Sequence, residues 1–197
     1  TYNIYYEFYL KCLLGQKEKK VKWKQVLTVI NSTLGEILGK IYVSKYFDEE
    51  SKKLILEMTN RMLKQISKRI DKLDWMSSET KAKAQEKLKR FTVKIGYPDK
   101  WTNFNDLQLS DDLTYYENVL LCKKWHVSDN LKKCYKPMDP DEWHMNPQTI
   151  NAYFNSSMND IVFPAGILQE PFFSKKYEIG QNYGSVGAVI CHEITHA

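Results

Sequence analysis

Apolar residues recur every three or four positions through most of the first 130 residues, the period of helices with one buried face. Tyr5, Phe8, Tyr9, Cys12 and Leu13 form one such stripe and predict a helix over residues 2–14. After a Lys-rich turn, Val26, Leu27, Ile30, Leu34, Leu38 and Ile41 predict a second over 23–46, in which Gly35 and Gly39 mark close packing with a neighbour. Asp48 is placed to cap a third helix, where Ile55, Met58, Met62, Ile66, Ile70 and Leu73 repeat at three and four. Ser77 is the expected cap of a fourth through Ala82, Ala84, Leu88 and Phe91, ending at Gly96 ahead of Pro98. Residues 98–111 are loop-like, and Ser110-Asp111-Asp112 is expected to open a fifth helix reaching His126.

The pattern changes after Pro137. Pro137, Pro140 and Pro147 lack the N–H that a helix interior needs and favour extended or turn backbone. Ile150 to Phe154 and Ile161 to Phe163 are short runs of β-formers joined by the polar turn Asn155 to Asp160, a hairpin signal. The predicted class is therefore mainly α with a short β-hairpin. An edge strand there could pair with an extended peptide through main-chain hydrogen bonds. A structural turn over the core is the plainer alternative.

The chemistry concentrates at the C-terminal end, in Val189-Ile190-Cys191-His192-Glu193-Ile194-Thr195-His196. Residues four apart share a helical face, so His192 and His196 can offer two imidazole nitrogens to one ion. A catalytic Zn²⁺ takes three protein ligands and a water, and favours nitrogen donors. Glu193 stands about 100° around the helix from His192, beside such an ion rather than on it. There it can take a proton from the attacking water and pass it to a leaving amine, the roles of peptide-bond hydrolysis. His-Glu-x-x-His also arises by chance, so context matters. The apolar approach Val186, Val189 and Ile190, with no Pro or Gly after Gly187, suits a buried helix.

Composition changes this picture little. Hydrophobic residues make up 43% and charged residues 27%, a globular balance. The net charge of +5 is spread over helical segments and not blocked beside aromatics, so no nucleic-acid partner is expected. The four cysteines, Cys12, Cys122, Cys134 and Cys191, include no C-x-x-C pair, which argues against a structural zinc site. Cys122 and Cys134 are near enough in sequence for a local disulfide, a matter for geometry. Asn31-Ser32-Thr33 and Asn155-Ser156-Ser157 fit the glycosylation pattern of secreted chains. No apolar run approaches membrane-spanning length and no signal peptide is present. With no initiator Met and a first residue run that looks helical already, the chain is expected to be cut from something longer.

Several runs together resemble the neprilysin family of zinc metallopeptidases, which includes the endothelin-converting enzymes. They are Asn151-Ala152-Tyr153-Phe154, Ile161 to Gln169 (Ile-Val-Phe-Pro-Ala-Gly-Ile-Leu-Gln), Pro171-Phe172-Phe173, Asn182-Tyr183-Gly184 and His192-Glu193-Ile194-Thr195-His196. Weaker similarity runs through Asp74-Trp75-Met76, Ile95-Gly96-Tyr97-Pro98 and Asp141-Glu142-Trp143. The resemblance implies a helical cover lobe, here residues 1–110, over the first part of a thermolysin-like (zincin) catalytic lobe, here 111–197. It implies zinc held by His192 and His196, Glu193 as acid/base, and Asn151 and Ala152 gripping the substrate backbone. Ile167, Phe172 and Val189 then line the pocket for the apolar residue after the scissile bond. Short peptides are the implied partners, cleaved outside the cell or at its surface, with a membrane anchor possible only elsewhere in a full-length parent.

The departures bear on function. Cys191 and Ala197 stand where the family has glycines flanking the motif, Ser185 replaces another glycine, and Ala188 replaces a larger apolar residue. Val26 occupies a position where relatives carry a disulfide cysteine. The family's third zinc ligand is a Glu of a later Glu-x-x-x-Asp helix, expected beyond Ala197. These 197 residues are thus expected to be inactive alone. The alternative is a truncated or diverged homologue that binds peptides without cutting them. Cys191, one residue before His192, is expected to pack and not to bind metal.

Overall fold

The computed structural model describes residues 2–197. Its helices are α1 (Tyr2–Tyr5), continued by a wider π-wound stretch (Tyr6–Leu13), α2 (Lys22–Thr33), α3 (Gly35–Tyr46), α4 (Glu49–Lys72), α5 (Ser78–Lys89), α6 (Tyr115–Lys133), α7 (Ile179–Gly184) and α8 (Val186–Thr195). Strands β1 (Thr92–Gly96), β2 (Tyr153–Asn155) and β3 (Asp160–Pro164) form one sheet in the order β1-β3-β2. The class is the expected one, mainly helical with a small sheet.

The expected hairpin is present. β2 runs antiparallel to β3 with Tyr153 opposite Val162 and Asn155 opposite Asp160, and Asn159 turns the chain with φ 52°. β3 is buried along its whole length. α4 caps as predicted, Asp48 accepting the Ser51 N–H at 2.8 Å, and sends Ile55, Met58 and Met62 into the core. There they join Ile161, Phe163, Val186 and Ile190. Ser77 likewise accepts the Thr80 N–H and caps α5.

Four expectations need correction. The helix expected over 23–46 is two helices, bent by 106° at Leu34. Side chains from α6 and from the loop after it take the carbonyls at the break: His126 Nε2 on Thr33 (2.6 Å), Asn146 Nδ2 on Asn31 (2.9 Å) and Gln148 Nε2 on Gly35 (2.9 Å). The glycines do mark close packing. A Cβ on Gly35 would fall 2.2 Å from Asn146 Nδ2, and one on Gly39 2.6 Å from Pro147 Cδ. The fourth helix stops at Lys89, and Thr92–Gly96 is β1, parallel to β3 with Ile95 against Phe163 in register. The fifth helix starts at Tyr115, not at Ser110, because Thr114 and Glu117 form a reciprocal capping box, and it runs on to Lys133. The stripe in 2–14 is solvent-facing: Tyr5, Phe8, Tyr9, Cys12 and Leu13 are exposed, and the buried residue of this segment is Tyr6, which lies outside the stripe.

All four cysteines are free. Cys122 and Cys134 are twelve residues apart on α6 and at its cap, about 18 Å along the axis, too far to bridge. A buried ion pair crosses the sheet: Lys94 of β1 meets Asp160 of β3 at 2.5 Å and also donates to the Glu142 carbonyl at 3.0 Å.

Candidate metal centre

α8 has two unlike faces. Val186, Gly187, Ile190, Glu193 and Ile194 are buried, whereas Ala188, His192, Thr195 and His196 are exposed. The helix packs on α4 and lies against β2. Gly187 permits the approach to α4, since a Cβ there would come within 2.6 Å of Met62 Cε. The motif therefore sits on a helix held by the core, with its imidazole-bearing face exposed.

His192 and His196 bring their Nε2 atoms to 3.1 Å, with ring centroids 4.6 Å apart and planes at 86°. Two nitrogens on one tetrahedral zinc, each about 2.0–2.1 Å from it, stand about 3.3 Å apart. The observed spacing is that of ligands able to share an ion. The Glu193 carboxylate completes the cluster, with all three donor groups within 4.8 Å of one another. It is 9% exposed, on the shoulder between the imidazole face and the core. A proton-transfer group is wanted there, close to the metal yet shielded from bulk water. Among the described residues these are the donors that cluster for a metal. Cys191 is not one of them. It packs against the core, and burial raises its thiol pKa.

The other expected site residues differ in their exposure. β2 is an edge strand, with β3 as its partner on one side. Asn151 just before it is exposed, whereas Ala152 is buried in the core. Ile167 is buried, and Phe172 and Val189 are half-buried and pack against the same core. Behind β2 the Tyr153 hydroxyl accepts the His144 N–H at 3.0 Å, and burial raises its pKa. Reasoning from sequence missed the clamp on the Phe172 turn. Asn182 holds Ser174 by two hydrogen bonds, and Ser185 Oγ lies 2.6 Å from the Phe172 carbonyl. Family glycine at 185 was the visible signal, but a single Ser substitution does not announce its partner.

Comparison with known proteins agrees with this geometry. The family models named Peptidase family M13 match residues 1–98 and 151–197. Human neprilysin is 35% identical over 204 aligned positions, covering 100% of this chain and 27% of neprilysin. Membrane metallo-endopeptidase-like 1 of Mus musculus is 35% identical over 95% of this chain and 26% of its own length. Among solved structures, the Mycobacterium tuberculosis zinc metalloprotease Zmp1 in complex with inhibitor superposes with TM-score 0.88 at 41% identity, covering 97% of this chain and 28% of that one. PepO from Lactobacillus rhamnosis superposes with TM-score 0.89 at 32% identity, over 95% of this chain and 30% of that one. The chain spans about a quarter of the length of the curated relatives it matches. The fold is the thermolysin-like one of these zinc peptidases, and the chain belongs to peptidase family M13.

Proposed function

We propose that the chain carries the motif-bearing part of a zinc endopeptidase that cuts short peptides on the amino side of apolar residues. The observation that carries this is the 3.1 Å approach of two imidazole nitrogens with the shielded Glu193 carboxylate on the same helix. His192 and His196 would hold the zinc, which when bound supplies a Lewis acid for the scissile carbonyl and makes water more acidic. Glu193 takes the proton of the attacking water and returns it to the leaving amine. Asn151 and Ala152, immediately before the edge strand β2, receive the substrate backbone. Ile167, Phe172 and Val189 form the apolar wall that selects the residue after the scissile bond. We assign residues 1–110 to a helical cover lobe and 111–197 to the start of the catalytic lobe, and place the whole enzyme outside the cell or at its surface.

Two imidazoles fall one short of the three protein ligands of a catalytic zinc, so the 197 residues alone should hold zinc weakly and turn over no peptide. The test is cleavage of a short peptide with an internal Leu by the full-length enzyme and by this chain, before and after chelation and with zinc returned. The expected result is hydrolysis before Leu by the full-length enzyme, abolished by chelator and restored by zinc, and none by the 197 residues. Chelator-sensitive turnover by this chain alone would show that its site is complete in some other way. A full-length protein that binds peptide but never cuts it would support the non-catalytic alternative.

A further inference from the structure

We infer that Ser185 and Asn182 are positioning residues that fix Phe172 relative to the metal-bearing helix, so that the α7–α8 junction tunes which apolar side chain the pocket accepts. This rests on the assignment of Phe172 to the pocket wall.

The junction ties three things together at one carbonyl. The first N–H groups of a helix have no partner inside it. At α8 no side chain caps them, and the Val186 N–H instead donates to the Phe172 carbonyl at 3.0 Å. Ser185 Oγ reaches the same oxygen at 2.6 Å, and the Gln181 carbonyl at 2.7 Å, so its one hydroxyl proton is shared between the turn and the end of α7. Two residues on, the Asn182 side chain grips both backbone groups of Ser174: Oδ1 accepts its N–H at 3.2 Å and Nδ2 donates to its carbonyl at 2.9 Å. Asn182 is 1% exposed, and a buried amide satisfied at both ends holds one orientation. The turn 172–174 is thus fastened on both sides by groups from α7 and α8.

Phe172 cannot shift without uncapping α8, which carries Val189 one turn beyond Ser185 and His192 two turns beyond it. The Phe172 backbone and the start of the metal-bearing helix are thereby fastened to each other. The backbone bond from Val186 would survive with glycine at position 185, whereas the hydroxyl bond is added by the serine. A stiffer wall separates side chains of different size better, because it cannot close around the smaller one.

The experiment compares zinc-loaded full-length wild-type enzyme with its Ser185→Gly and Ser185→Thr variants on two peptides that differ only in Leu or Ala after the scissile bond. Ser185→Gly should raise KM for the Leu peptide about fivefold, the scale of one hydrogen bond, and lower the Leu-over-Ala preference to match. Its kcat should stay within about twofold and its zinc content unchanged. Ser185→Thr, which keeps a hydroxyl, should keep the wild-type preference. Amide exchange over residues 172–174 should quicken in Ser185→Gly, and more so in Asn182→Ala, a readout that holds even if the latter is inactive. Unaltered preference and exchange in Ser185→Gly would overturn the inference, as would a Thr variant that loses as much as the Gly variant. A wild-type enzyme that cleaves neither peptide would instead bring down the peptidase assignment on which the inference stands.

Discussion

His192 and His196 lie four residues apart, and helix geometry alone brings their rings to one side; the 3.1 Å between their Nε2 atoms needs no long-range contact to explain it. That is why the closeness of the two imidazoles was legible in the sequence, together with Glu193 on its shoulder. The buried state of Glu193 was not, since it depends on α4 and β2 packing around α8. Cys191 shows the same division. Its position off the imidazole face follows from spacing, but its burial comes from the core. With its thiol pKa raised by burial, Cys191 should react with a thiol reagent more slowly than exposed Cys12 and Cys134, which a timed labelling and mass-spectrometric readout would check. Another residue-scale expectation concerns Asp48. The Lys175 ammonium at 2.6 Å, helped by the Ser51 N–H, lowers its carboxyl pKa from 3.8 to about 2. The folded state therefore holds this proton less tightly than the unfolded one. Its contribution to stability is complete above about pH 4 and fades as the pH falls toward 2. The side chain is more than half exposed, so solvent screens the pair and the effect is small. Lys175→Met should move the Asp48 titration up toward 3.8, followed by carboxyl NMR shifts.

At the scale of elements, the long amphipathic helix α4 was readable because its stripe and its Asp48 cap agree. β1 was not. Thr92-Val93-Lys94-Ile95 follows a helical run without a proline, and the short alternation was absorbed into the helix before it. What makes it a strand is a partner 68 residues away in register, β3, with the Lys94–Asp160 pair across them. Likewise the break between α2 and α3 is set by donors from residues 126, 146 and 148, which local periodicity cannot show. The buried pair gives a test of what joins the sheet. Lys94→Met leaves Asp160 charged and buried with both oxygens unpartnered, since Oδ1 already has no hydrogen-bond partner. It should cost about 3–5 kcal/mol in denaturant unfolding, whereas Lys94→Met with Asp160→Leu should recover most of that loss. A single variant as stable as wild type would show that the pair does not fasten β1 to β3.

For the whole molecule, the described residues supply a core-held helix with two adjacent imidazoles that could hold a metal and one shielded carboxylate, next to an edge strand and an apolar turn. The motif runs around β2, β3 and α8 could be read because they are short and contiguous; the order β1-β3-β2, which makes β2 an edge, needed the fold. Membership of peptidase family M13 follows from both ends of the chain. The central claim is that Glu193 moves the proton while His192 and His196 hold zinc. The measurement that reaches it most directly is peptide turnover by the zinc-loaded full-length Glu193→Gln variant, with bound zinc quantified in the same sample. Turnover should fall by about 10²–10⁴-fold with one zinc still bound, the scale of a lost general acid–base. Turnover within about tenfold of wild type, or zinc lost along with it, would contradict the assignment.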